Sequence, residues 1–215
     1  MTKYTWDEFE SRIALSEKMF NQIESLLNDF LDYVTLDFDH LHVHSLKLVT
    51  IMLEIGPEIL NSFDLAVFYI GARSLREAFD PSIGKRRKKL LEKEKELRKK
   101  KRSLTFGDYY SFLDTARTPK LSQATIRLRD LDAYIMPFET INSEWWESYN
   151  LLKHDKYSNL KRATLENALK ASSALFWLVY YNSKEIHLDE AFSSNLFVKV
   201  DPYEIERAHN SLKKL

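Results

Sequence analysis

The side chains best suited to chemistry lie close together between Trp145 and Tyr157, in the run WWESYNLLKHDKY. On a helix, Trp146, Asn150, Lys153, His154 and Tyr157 share one broad face. An amide, an ammonium, an imidazole and a phenol then meet near a helix end. Histidine is the side chain whose ordinary pKa suits proton transfer at neutral pH. A lysine beside it can hold a phosphate, and Asn150 can orient either a ligand or the imidazole. The same residues also admit a purely structural reading, with the tryptophans as a core anchor and the polar groups capping the helix. Two adjacent tryptophans cannot both face inward on a helix, so one is left for a wall or an oligomer contact.

Two other groups compete with this one. His40, His42 and His44 alternate along HLHVH, with Asp37 and Asp39 just before them. On a strand their imidazoles would face one way, about 7 Å apart. On a helix each step of two residues turns the side chain by about 200°, and the three cannot share an ion. The run lies between two helical patterns and lacks a wider ligand set, so solvated histidines leading into a helix are the better reading, with no metal. The second group runs from Lys85 to Arg102, with twelve Lys/Arg against three Glu, a net +9 in 18 residues. Since the whole chain is neutral, the rest of it carries −9. Leu90, Leu91 and Leu97 are too few for a core-facing stripe, which predicts a charged arm or hairpin projecting into solvent. With Tyr109, Tyr110 and Phe112 nearby, it combines charge and aromatics as single-stranded nucleic-acid sites do. A solvated charged hairpin without a ligand is the plainer explanation.

The spaced residues Trp145-Trp146-x-x-Tyr149-Asn150-x-x-Lys153-His154-Asp155 resemble the WWxxYNxxKHD-type motif of a group of bacterial helical proteins. Pro137-Phe138 before the motif, and the stretches Ala163–Leu169 and Ala174–Leu178 after it, fit the same resemblance. Val43–Leu48 fits it more loosely. The motif is in turn similar to the signature of the HEPN superfamily, helical domains that include metal-independent RNases of toxin and phage-defence systems. That signature is an arginine followed by a polar residue and, one helical turn later, a histidine. Asn150 falls on the polar position and His154 on the histidine, but the arginine position holds Tyr149. The resemblance implies RNA as a partner and a homodimer with a site shared across its interface. It casts His154 as general acid/base, Asn150 as the orienting residue and Lys153 as a phosphate contact, with Trp146 beside them. With Tyr149 in place of the phosphate-stabilising arginine, cleavage would draw positive charge from Lys153, Lys156 or the basic arm.

What must position these residues is an almost wholly helical chain. Its 215 residues include no cysteine, four glycines and five prolines. The lack of cysteine excludes a disulfide scaffold, a cysteine-ligated zinc and a cysteine nucleophile. So few glycines and prolines disfavour sandwiches, barrels and Gly-rich nucleotide folds. P-loop, dinucleotide, His-Glu-x-x-His and Gly-x-Ser-x-Gly motifs are all missing, and no cofactor is expected. The start, MTKYTWDE, is acidic and aromatic where a signal peptide would be basic and then apolar. The longest uncharged run, Ala171 to Ser183, is 13 residues, too short to span a bilayer. A cytoplasmic protein with no membrane contact is the expectation. Length and a 44% apolar content suit one domain over residues 1–215, with 82–104 as the inserted arm.

Thr5 with Glu8 forms a capping box before a long first helix. Its apolar residues Trp6, Phe9, Ile13, Phe20, Ile23, Leu27, Phe30 and Val34, with Ser16 filling one slot, recur at spacings of three and four, a narrow seam for another long helix in the same chain or a partner. Gly56-Pro57 predicts a break between a helix from Leu46 and another ending near Phe79. A short helix over 108–117, an irregular stretch over 118–138, and helices from Ser143 to near His154 and Leu160 to near Tyr181 follow. Leu196, Val198 and Val200 alternate like a short strand, and Asp201-Pro202-Tyr203-Glu204 opens a last helix. The expected architecture is an all-α, HEPN-like helical bundle with a projecting basic arm and a short C-terminal strand pair. The expected function is RNA binding or metal-independent RNA cleavage in a bacterial defence or toxin–antitoxin system. The competing expectation is a non-catalytic interaction or regulatory protein. There the first helix and the tryptophan pair form an interface, and the arm meets an acidic protein partner.

Overall fold

Helix α1 (Trp6–Leu31) starts where its capping box predicts. The Glu8 N–H donates to the Thr5 hydroxyl at 3.2 Å, and the Thr5 N–H donates to the Glu8 carboxylate at 2.7 Å. The computed structural model describes residues 4–73, 81–100, 102–116, 120–131, 133–184, 192–200 and 213–215. The helix expected from Asp201 lies outside these residues. Along α1 the predicted seam is buried from Phe9 to Phe30, with Ser16 filling the polar slot. Trp6 is partly exposed, and Val34 falls beyond the helix end.

Helix α2 (Leu46–Arg73) runs unbroken through Gly56-Pro57, against the break that a local rule predicts. An interior proline costs about 3 kcal/mol. Against this, Ile51, Met52, Ile55, Ile59 and Phe63 are all at most 1% exposed on one continuous stripe. Each such side chain is worth about 1.5–3 kcal/mol when buried, so the stripe outweighs the proline. Pro57 itself is exposed to solvent.

Helix α3 (Pro81–Lys99) holds most of the basic segment as a single helix. It does not stand away from the body: it packs along α4 (Phe106–Ala116) and touches α2. Leu90 is buried, and Lys93 pairs with Asp108 of α4. One well-placed leucine and one ion pair thus dock a helix whose composition alone suggested a solvated projection.

Helices α5 (Glu144–His154) and α6 (Leu165–Lys184) fall close to their predicted places. Helices α1, α2 and α6 pack on one another, and α5 lies on α2 and α6. The uncharged run from Ala171 is the centre of this bundle, buried from Ala171 to Val179. No helix among the described residues is long and apolar enough to cross a membrane.

The chain is mainly helical but carries a small sheet in the order β3-β1-β2-β4. The strands are β1 (Thr125–Leu128), β2 (Ala133–Ile135), β3 (Phe197–Val200) and the two-residue β4 (Lys213–Lys214). Strand β1 pairs antiparallel with β2, Ile126 opposite Ile135, and with β3, Leu128 opposite Phe197. Strand β4 runs parallel to β2. The alternation at Val198 and Val200 therefore does mark a strand, but its main partner is the stretch that looked least regular. Glu24 of α1 ties this region to the bundle: its carboxylate accepts from the Leu196 N–H at 3.0 Å and from the Ser194 hydroxyl.

Candidate functional site

The run from Trp145 to Tyr157 divides sharply between interior and surface. Helix α5 buries Trp145, Ser148, Tyr149 and Leu152, the i, i+3, i+4, i+7 stripe of an amphipathic helix. The Trp145 indole N–H donates to the backbone carbonyl of Pro137 at 2.8 Å, which fixes the ring against the stretch before α5. Trp146 is half-buried and stacked on Phe106 at 4.6 Å between centroids, with Tyr149 at 4.9 Å on another side. The tryptophan pair is thus resolved: the first is core, and the second leans on α4.

Tyr149 is 4% exposed, and its ring lies against the backbone of α2 at Gly56. Burial raises the pKa of its phenol. The position that the HEPN signature gives to arginine is therefore an aromatic core position in this chain. Ser148, fully buried, accepts a hydrogen bond from the Asn167 amide at 3.2 Å. The same amide donates to the Arg162 carbonyl at 3.1 Å, and the Asn167 N–H donates to the Thr164 hydroxyl at 3.1 Å. This asparagine joins α5, α6 and the loop between them, a role that its place in an Ala/Asn-rich helix did not reveal.

The polar end of the run faces solvent. Lys153, His154 and Lys156 are exposed, and Asn150 is half-buried one turn earlier. His154 makes no hydrogen bond to any described residue. The Lys153 ammonium sits 5.9 Å from the Tyr149 ring centroid, so its stem lies on the aromatic while its charge stays in water. Tyr157, expected on the helix face, sits in the turn beyond it, 77% exposed, with the Lys156 ammonium 5.2 Å from its ring.

Asp155 is a structural residue here. Its carboxylate accepts from the backbone N–H groups of Tyr157 and Ser158, each at 3.1 Å. Hydrogen bonding from Ser158, side chain first and then backbone, holds its pKa below the usual carboxylate range. Asn159 completes the end of α5 by donating to the carbonyls of Leu151 and Asp155. The chain then folds back in a 3-10 turn, Leu160–Arg162, which packs on α5 and exposes Lys161 and Arg162. These two cations were not singled out in the sequence. The Arg162 guanidinium lies 3.8 Å from the carboxylate of Glu144, the first residue of α5, so the backfold carries it to the end of the helix opposite His154.

The histidine run leads into α2 as expected, and its backbone has a further role. The Leu165 and Glu166 N–H groups donate to the carbonyls of Val43 and Leu41, at 2.9 and 3.0 Å. Two N–H groups at the start of α6, which no helix can satisfy internally, are thereby used. His40 is half-buried with its Nδ1 2.8 Å from the Thr35 carbonyl, while His42 and His44 are exposed. No group of three metal-ligating side chains forms among the described residues.

What the end of α5 and the turn after it expose is therefore a short cationic, partly aromatic stretch, Lys153, His154, Lys156 and Tyr157. The one acid within the stretch, Asp155, already accepts two backbone hydrogen bonds. Compared with known proteins, the chain matches no family model, no curated protein and no solved structure.

Proposed function

We propose that this is an HEPN-like RNA-binding protein whose contact surface is the end of α5 and the turn that follows it. The observation that carries this reading is the exposure of Lys153, His154 and Lys156, with Tyr157 standing clear of the fold. Ammonium and guanidinium groups suit phosphates, and an exposed phenol ring offers a face for a base. In this reading Lys153 and Lys156 contact the backbone and Asn150 orients the ligand. His154 is the general acid/base candidate for attack by a ribose 2′-hydroxyl. The motif aromatics Trp146 and Tyr149 support the surface from beneath.

The second reading is a non-catalytic interaction protein, and one observation favours it. Tyr149 lies in the core where the signature would place a phosphate-stabilising arginine, so any cleavage must draw its positive charge from other residues.

The test is cleavage and retention of a mixed pool of labelled RNAs, with EDTA present, by the wild-type chain, His154→Ala and the Lys153→Ala/Lys156→Ala pair. The proposal expects retention that falls as salt rises and is weakened in the lysine pair. Cleavage lost in His154→Ala would add a metal-independent RNase activity. Retention without cleavage would leave a binding protein with a repurposed site. Absence of both would move the assignment to the interaction reading.

A further inference from the structure

A cleft of about 640 Å³ opens where α3 docks on α2 and α4, on residues unrelated to the end of α5. Its floor is apolar: Val67, Phe68, Leu90 and Leu104 are each mostly buried yet line the opening. Gly84 stands at its edge, where even an added Cβ would meet nothing within 4 Å. This volume lies within the range of small-molecule sites, which combine apolar walls with a few placed polar groups.

Arg87 supplies the polar group that the fold leaves unused. It lines the cleft, and its Nε is fully buried with no hydrogen-bond partner. Buried donors are nearly always paired, so an unpaired one on a side chain that lines an open cleft is a marker for a missing acceptor. Burial lowers the pKa of this guanidinium, in keeping with a partly dry setting in which a paired anion interacts more strongly. The neighbouring Tyr109 hydroxyl is already committed, donating to Asp64.

The charge around the cleft restricts the ligand. Arg87, Lys88 and Lys95 are balanced by Asp64, Glu92 and Glu94 on the same walls. A polyanion such as an RNA backbone, or a phosphate dianion, would meet as many acids as bases. A singly charged head suits the balance, and the planar guanidinium fork matches a carboxylate.

We propose that the cleft between α2, α3 and α4 binds an amphipathic monocarboxylate, with its carboxylate on Arg87 and its apolar body against Val67, Phe68 and Leu90. The site is independent of the RNA reading, and either can fail without the other.

Titration calorimetry of the full chain with decanoate, below its micelle concentration, tests the proposal, with decanol as the uncharged probe. Saturable decanoate binding is expected. Arg87→Leu should weaken it by about tenfold or more while leaving decanol binding intact, because charge-assisted pairing is lost and the apolar floor is kept. Arg87→Lys, which keeps the charge and loses the fork, should also weaken decanoate. Lys89→Ala, exposed and outside the cleft, should not. A diazirine-bearing decanoate on the wild-type chain should label residues 64–68 and 84–95. Absent saturable binding, equal affinity in Arg87→Leu, or labelling confined to other segments would overturn the assignment.

Discussion

The ring of Tyr149 occupies the space that a side chain at Gly56 would need: a Cβ there would lie 2.1 Å from two of its ring carbons. The helix α2 backbone and a motif aromatic on α5 are thus in direct contact, and neither residue can change size alone. Gly56→Ala should destabilise the fold by about 1–3 kcal/mol through overpacking, although alanine is the better helix former. Tyr149→Leu in that background should restore part of the loss. Equal melting temperatures for wild type and Gly56→Ala would refute the contact.

The same packing limits what position 149 can accommodate. Tyr149→Arg places a guanidinium beneath Trp146 and against Gly56. It should cost about 3 kcal/mol or more, as an unpaired buried charge does. Tyr149→Phe, which keeps the ring, should stay within about 1 kcal/mol of wild type. Denaturant unfolding of the two variants distinguishes them, and a stable, RNA-cleaving Tyr149→Arg protein would show that this position can reach the surface.

Asn167 and Ser148 should be energetically coupled. Asn167→Ala removes the two hydrogen bonds that its side-chain amide donates, whereas Ser148→Ala removes one acceptor. A double-mutant cycle should return a coupling of about 1 kcal/mol, the worth of a buried neutral hydrogen bond. A coupling near zero would mean that the two side chains are satisfied independently.

Acid should loosen the end of α5 through Asp155. Its pKa is depressed in the folded chain, so its stabilising contribution is present above the unfolded carboxylate pKa. That contribution is lost as pH falls through the lower folded value. Amide exchange at Tyr157 and Ser158 should accelerate selectively across that window, and Asp155→Asn should flatten the pH dependence. Exchange that is unaffected by acid in the wild-type chain would remove Asp155 as the cap.

The clamp at Glu24 should be among the costliest single losses. Glu24→Ala leaves the buried Ser194 hydroxyl without its acceptor and the Leu196 N–H with only the Ser194 Oγ, and should cost about 1–3 kcal/mol. Glu24→Gln, which keeps an amide oxygen as acceptor, should recover much of this by thermal melting.

Local signals were legible wherever the partner is also local. Thr5 and Glu8 marked the start of α1 within one turn, and Ser16 was recognised as a filled slot in a buried seam. The ends of α5 and the strand at Val198 and Val200 were also readable from spacing. What escaped depends on residues far away in sequence. Nothing near Gly56-Pro57 announces that Tyr149 will cover the glycine and that one buried stripe will carry the helix through the proline. Strands of four and three residues, β1 and β2, have little propensity of their own and exist because β3 arrives from beyond α6. In the candidate site, the exposure of His154 and Lys153 followed from the helix face. The burial of Tyr149 and the return of Arg162 to Glu144 did not, since both follow from how α5 meets other elements.

The Glu24–Leu196 clamp also sets a timetable. Glu17 and Glu24 of α1 meet Ser183 and Leu196, so their partners are 166 and 172 residues downstream. At a translation rate of about 5–20 residues per second, α1 leaves the ribosome about 10–30 s before those partners exist. Through that interval the face carrying Phe20, Ile23 and Leu27 has neither α6 nor the 194–197 segment to cover it. The first helix to be synthesised is among the last to be closed in, which makes it the segment that nascent-chain chaperones would meet.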